Sequence, residues 1–342
     1  YMQAQTKENP ITHGVIWKQL LLFFFPILIG TFFQQLYNTI DSVIVGQFVG
    51  KEALASVGGS SAQIVALVVG FFTGLSSGAA VTIAQFFGAR DDKSANQALH
   101  NACALELAAG ALLTVIGIAL TPAMLRLMNT PEDIIGDSVI YLRIYFAGIV
   151  FVLIYNMGSA ILRATGDSKR PLYYLIVCCG INIVLDILFV LGFRMGVTGA
   201  AVATLIAQAV SALLVILKLM RSRGILSLSP GQIRFHTPML RSQLRLGLPT
   251  GFESILFAIT NIAIQSAVNT FGTDASAAWS AFGKLDAIFW MVSTAFGISI
   301  TTFVGQNYGA GKMDRVRKST RVCLLMDLVV STLLVVFLII AR

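Results

Sequence analysis

The stretch Asn182–Val190 reads NIVLDILFV and lies in the middle of an apolar run from Leu172 to Gly192. Such a run is about the length that a helix needs to cross a bilayer. Every immediate neighbour of Asp186 is a hydrocarbon side chain. A carboxylate at the centre of a spanning helix costs about 2.5–3.5 kcal/mol on insertion scales, so its presence asks for a function.

The surrounding sequence has the same character. Of 342 residues, 56% are hydrophobic and only 12% charged, with a mean hydropathy of +0.81. Soluble domains carry about 25% charged residues. The charges cluster between continuous apolar runs, which excludes the short alternating strands of an outer-membrane barrel. An all-α, polytopic membrane protein follows, because helices satisfy their own backbone in lipid. Spans are predicted at 17–46, 53–86, 96–120, 135–162, 172–192, 197–219, 244–271, 277–305 and 319–340.

The net charge of +8 reads as topology rather than as a nucleic-acid surface. With the N-terminus inside, the inner side receives Lys7, Lys18, Arg90, Lys93, Arg163, Lys169, Arg170, the basic stretch from Lys218 to Arg245, and the cluster from Lys312 to Arg321. The outer side keeps Lys51, Arg126, Arg143, Arg194 and Arg342. That is a strong positive-inside bias. No cleavable signal is evident, and Cys103, Cys178, Cys179 and Cys323 lack metal-ligand spacing and read as buried thiols.

Two segments repeat. IAQFFGARDDKSANQALHNACALE begins at Ile83, and VGQNYGAGKMDRVRKSTRVCLLMD begins at Val304. Gln85 aligns with Gln306, Gly88 with Gly309, Ala89 with Ala310 and Glu106 with Asp327, while upstream Pro26 aligns with Pro249. An even number of spans separates the copies, so they enter the membrane from the same side as a parallel repeat. The expected organisation is a first lobe of six helices (1–220), a cytoplasmic linker (221–243) and three helices of a second lobe (244–342). The symmetry implies three further helices beyond Arg342.

Three motifs carry a resemblance. LRATGDSKRP (Leu162–Pro171) resembles the LRGxGDTKxP loop of the multidrug and toxic-compound extrusion (MATE) family. GQNYGAGKMDR (Gly305–Arg315) is similar to that family's GQNxGAGxxDR segment, and NIVLD with the later GVTGAAVAT is similar to its fifth and sixth spans. The resemblance implies two six-helix lobes around a substrate cavity, of which this chain would supply the first nine helices. In themselves the loop glycines read as tight helix ends, with Lys169, Arg170, Lys312 and Arg315 as anchors at the inner surface.

Depth groups the polar residues within the spans. At about 1.5 Å per residue, Asp186 lies roughly 9 Å below the outer end of its span, Asp41 roughly 7 Å and Thr204 roughly 10 Å. Asn182 sits one turn from Asp186 on the same face. Thr31, Gln34, Asn38 and Asp41 form one stripe on the first helix, expected to face water rather than lipid. Two carboxylates, an amide and a hydroxyl suit a hard cation such as Na⁺. They suit H⁺ equally, since lost hydration and a second acid both favour a neutral carboxyl. The resemblance implies the same set: Asp41, Asn182, Asp186 and Thr204 fall at the family's first-lobe cation-site positions. Many members have proline after the fifth-helix aspartate, where this chain has Ile187.

The remaining candidates are weaker. Gln34, Tyr37, Asn38, Glu253, Phe257 and Asp286 are candidate cavity residues, with Met157, Trp290 and Met291 as further apolar contacts suited to organic cations. Asp286 is two residues from Lys284, and Glu106 and Asp327 read as packing residues. His13, His100 and His236 fall near the inner surface and suggest neither catalysis nor a metal site. No Walker motif points to ATP and no nucleophile points to an enzyme. The expected function is a monomeric secondary antiporter of the bacterial cytoplasmic membrane, without a cofactor, exporting amphipathic or cationic organic molecules against H⁺ or Na⁺. The runner-up, a flippase for lipid-linked sugars, should carry several basic residues inside the spans, where Lys284 stands nearly alone.

Overall fold

The structure is a computed structural model and describes residues 9–222, 224–271 and 273–340. Lys7 and Arg342 lie outside the described residues, as does the side chain of Lys284. All regular structure among the described residues is helical: α1 Pro10–His13, α2 Ile16–Phe48, α3 Lys51–Gly58, α4 Ser60–Gly88, α5 Asp92–Leu127, α6 Glu132–Ala147, α7 Ile149–Ala164, α8 Lys169–Asp186, α9 Gly196–Arg221, α10 Thr237–Asn269, α11 Thr273–Gly309 and α12 Met313–Ile340. Eight helical stretches are long and apolar enough to cross a bilayer, and α6 with α7 makes a ninth, bent by 50°.

Three departures from the predicted spans have local causes. The fourth span breaks at Gly148, whose added Cβ would meet the Leu205 side chain at 2.9 Å, so the bend lets α9 approach closely. The second span is divided at Gly59 into α3 and α4. The helices also run past the apolar runs: α10 starts at Thr237 with Pro238 in its first turn, where a missing N–H costs nothing. The loop between α9 and α10 is therefore shorter than the 221–243 linker.

The repeat is visible as geometry. At the end of α4, Arg90 N–H donates to the Phe87 carbonyl and Asp91 N–H to that of Phe86. At the end of α11, Gly311 donates to Tyr308 and Lys312 to Asn307, the same pattern 221 residues later. Both turns use a left-handed residue, Arg90 at φ 57° and Gly311 at φ 69°. The two helix ends cross face to face: a Cβ on Gly88 would overlap the Gln306 carbonyl, and one on Gly309 that of Gln85. The aligned pairs thus pack reciprocally around a pseudo-two-fold axis.

Toward the same end, each copy's first helix crosses the other's second. Gly74 and Gly78 of α4 meet Gly247 and Gly251 of α10, backbone against backbone, with an added Gly74 Cβ only 2.5 Å from the Gly251 nitrogen. On the other side, α2 meets α11 through Phe24 stacked on Phe296 (centroids 4.1 Å apart) and Phe23 edge-on to Phe303 (6.3 Å).

Polar brackets fix the loops. Asn96 Nδ2 donates to the carbonyls of Ile225 (3.1 Å) and Ser227 (3.0 Å), and buried His100 accepts the Ser229 N–H at 3.1 Å. His100 is thus a support for the inter-lobe loop. Residues 9–14 lie against the second copy: Arg315 donates to the Ile11 carbonyl (3.0 Å) and to that of Gly14, and Lys312 to that of Thr12 (3.0 Å).

Candidate functional site

Helices α2, α8 and α9 bring the four predicted cation residues together. Asp41 is 8% exposed, Thr204 6%, and Asn182 and Asp186 are fully buried. The carboxyl groups of Asp41 and Asp186 face each other closely enough to share a hydrogen bond when one of them is protonated. Tyr37 Oη donates to Thr204 Oγ1 at 3.3 Å and ties α2 to α9. Asp41 Oδ1, both Asp186 oxygens and both polar side-chain atoms of Asn182 are buried without a protein hydrogen-bond partner. Buried polar atoms are ordinarily paired, so five unpaired atoms in one cluster mark a place built for something besides itself.

The backbone changes character beside Asp186. Residues Ile187–Gly192 wind as a π-helical turn, closed by Phe193 N–H on the Leu188 carbonyl at 2.9 Å. The ladder departs from α-helical spacing there although Ile187, not proline, follows the aspartate. Wide turns of this kind are frequent at functional sites and leave slack in the ladder.

A second feature is a cavity of about 630 Å³ between the copies, lined by α4, α7, α10 and α11. Glu253, Phe257 and Trp290 form part of its wall, the latter two ring-to-ring at 5.2 Å. The cavity is separate from the aspartate cluster. Gln34 and Asn38 are exposed on α2 and do not line it, and neither does the half-buried Asp286. Met157 is buried in the packing of the first lobe at 2% exposure.

Arg163 is the residue that sequence reasoning assigned elsewhere. A basic residue ending a span reads as a surface anchor, yet Arg163 precedes the α7 terminus and lines this cavity. Among the described residues, the only ion pair is Arg170 with Asp167, at 2.6 Å, so Arg163 and Glu253 present opposite charges to one cavity without joining each other. No described group of three His, Cys, Asp or Glu side chains has the arrangement of a metal centre.

The family model described as MatE matches residues 26–188 and 249–342. The chain is 30% identical over 340 residues to the "Probable multidrug resistance protein YoeA" of Bacillus subtilis (strain 168), covering 97% of this chain and 72% of that protein. It is 33% identical over 310 residues to "Probable multidrug resistance protein YpnP" of the same organism, covering 91% and 69%. A solved structure described as "Crystal structure of MATE in the straight conformation" superposes with a TM-score of 0.90 at 25% identity, covering 97% of this chain and 74% of that one.

Proposed function

The chain belongs to the MatE family of transporters, and on that premise we propose that it is a secondary antiporter, exporting amphipathic organic molecules in exchange for H⁺ or Na⁺. The observation that carries this reading is the separation of two sites. A sealed cluster of acids with unpartnered oxygens lies among α2, α8 and α9, and an open cavity lies between the copies.

A proton shared by Asp41 and Asp186, or a sodium ion bound by their oxygens with those of Asn182 and Thr204, removes the repulsion of two buried negative charges. The loaded cluster therefore favours tight packing of α2 on α8, and the empty one favours separation. Because α2 also carries Phe23 and Phe24 at the α11 crossing, a shift of α2 changes how the copies meet. The π turn after Asp186 supplies slack for that shift. Cation and substrate then exchange because each favours a different arrangement of the same two bodies.

The cavity takes an aromatic cation against Phe257 and Trp290 with Glu253 as counter-charge. Arg163 supports a second reading of the substrate, in which amphiphiles with an acidic group also bind. We place the protein in the bacterial cytoplasmic membrane with its N-terminus and inter-lobe loop inside, acting as a monomer. The test is efflux of a fluorescent organic cation from vesicles under an imposed pH or sodium gradient. Efflux is expected to follow one of the gradients, and efflux that ignores both rejects the antiport reading.

A further inference from the structure

Glu106 sits mid-way along α5 at 1% exposure, away from the Asp41–Asp186 cluster. Its Oε1 lies 2.7 Å from Ser76 Oγ on α4, and its Oε2 is buried without a partner. Ser76 Oγ also lies 2.9 Å from the Phe72 carbonyl oxygen. A serine hydroxyl has one proton to donate. A carbonyl can only accept, so both of these contacts are hydrogen bonds at once if Ser76 donates to Phe72 and Glu106 donates to Ser76. That requires Glu106 to be the neutral acid. Ionised, it would compete with the carbonyl for one proton while its second oxygen stayed unpaired in a helix bundle, an arrangement that buried charge does not tolerate.

Among the described residues, nothing nearby offers a compensating charge. The α4 helix has no titratable residue along its length. On α5 itself the neighbour one turn away is buried Cys103. On α7, Tyr155 donates to the Pro171 carbonyl and Arg163 lines the cavity beyond Ser76. On α6, Tyr141 and Tyr145 stack on each other, and on α10 Glu253 stands in the cavity wall. Among the described residues no cation is within ion-pair distance of Glu106. Ser76, in contrast, is itself part of the cavity wall. The second copy does not repeat the pair: Gly297 stands at the position aligned with Ser76, and Asp327 Oδ1 instead has Ser293 Oγ, one turn away on α11, at 3.4 Å.

We propose that Glu106 is a second proton-carrying site, separate from the aspartate pair, that exchanges its proton with the inter-lobe cavity through Ser76. The step is a relay: the proton on Glu106 Oε1 passes to Ser76 Oγ, whose own proton leaves to water in the cavity, and uptake runs in reverse. The proposal builds on the antiport reading, but its first test needs no transport.

Infrared spectra of the purified protein, recorded across a pH titration, should contain a protonated-carboxyl carbonyl band that survives in Asp41→Asn/Asp186→Asn and is missing in Glu106→Gln. The glutamine keeps shape and can donate to Ser76, so a purely structural acid would be replaced at little cost. Ser76→Ala should slow hydrogen–deuterium exchange of that band severalfold while leaving the band present. The second measurement is proton release into weakly buffered solution when tetraphenylphosphonium is added. Asp41→Asn/Asp186→Asn should retain part of the wild-type release, and adding Glu106→Gln should abolish it. A carboxyl band unchanged by Glu106→Gln overturns the proposal, and so does a release that Glu106→Gln leaves intact. Failure of wild type to bind the cation would count against the antiport reading alone, since the infrared test stands without it. If Glu106→Gln does not fold, exchange of the band in Ser76→Ala at the wild-type rate overturns the relay.

Discussion

The two copies of the repeat fold alike and carry different chemistry. Their helix ends superimpose in hydrogen bonding and in the use of a left-handed residue, yet Asp41 of the first copy aligns with Ile264 of the second, which is 39% exposed. Their crossings also differ. Gly74, Gly78, Gly247 and Gly251 let α4 and α10 touch through backbone, whereas the aligned positions of α2 and α11 carry Phe24, Leu28, Ala295 and Ser299, and Phe24 stacks on Phe296 there. Symmetry is retained at the reciprocal helix ends and lost both at the crossings and at the level of Asp41. On the antiport reading proposed above, one lobe responds to the ion and its partner reads that movement.

The comparison breaks most severely if the aspartates are dispensable. Asp186→Asn and Asp41→Asn should each lower gradient-driven efflux by ~5- to 150-fold, the range of typical coupling energies, at matched expression. An added Ile264→Asp in the second copy should restore nothing, and efflux regained there would mean that the copies are interchangeable. Next in size are the crossings. Gly78→Val inserts side-chain atoms where the Gly247 backbone stands and should cost about 1–3 kcal/mol, read as a lower unfolding temperature in detergent. Ser299→Ala at the aligned position removes only a hydroxyl that donates to the Ala295 carbonyl within its own helix, at 2.7 Å, and should shift that temperature little. Glu253→Gln should weaken binding of an organic cation by about fivefold, corresponding to about 1 kcal/mol for a partly solvated charge pair. The smallest effect tests the helix ends: Gly311→Ala should destabilise by about 1 kcal/mol while Arg90→Gly relieves a similar strain. Equal responses at 90 and 311 would show that the two turns are not equivalent.

Much of this arrangement is legible in the residues alone, because burying a charge in lipid is costly enough to leave a mark. Asp186 inside an apolar run is conspicuous, and helical rise is regular enough to bring Asp41, Asn182 and Thr204 to its level. Loop glycines are legible for a similar reason, since few residues adopt their backbone angles. What stays hidden depends on which way a side chain turns. Arg163 looks like an anchor until α7 is seen to end after it, with the guanidinium at the cavity. His100 looks like an interfacial histidine until the loop folds over it. Gly74 and Gly78 are ordinary small residues in a span until α10 presents two more. The π turn after Asp186 has no sequence signal: Ile187 is compatible with an α-helix, and tertiary packing decides.

The short helix α1 has a consequence for biogenesis. Residues 9–14 are made well before the side chains that hold their carbonyls, since Lys312 and Arg315 lie about 300 positions later. Closing so long a loop is slow, because its entropy is spent before any contact forms. This segment must therefore remain unsecured while the helices from α2 to α11 are made. Its docking reports that the second copy has arrived in register. An antibody or protease that recognises only the undocked segment would serve as a clock for this docking, and a bulky insertion beside it should delay the docking rather than the insertion of the helices.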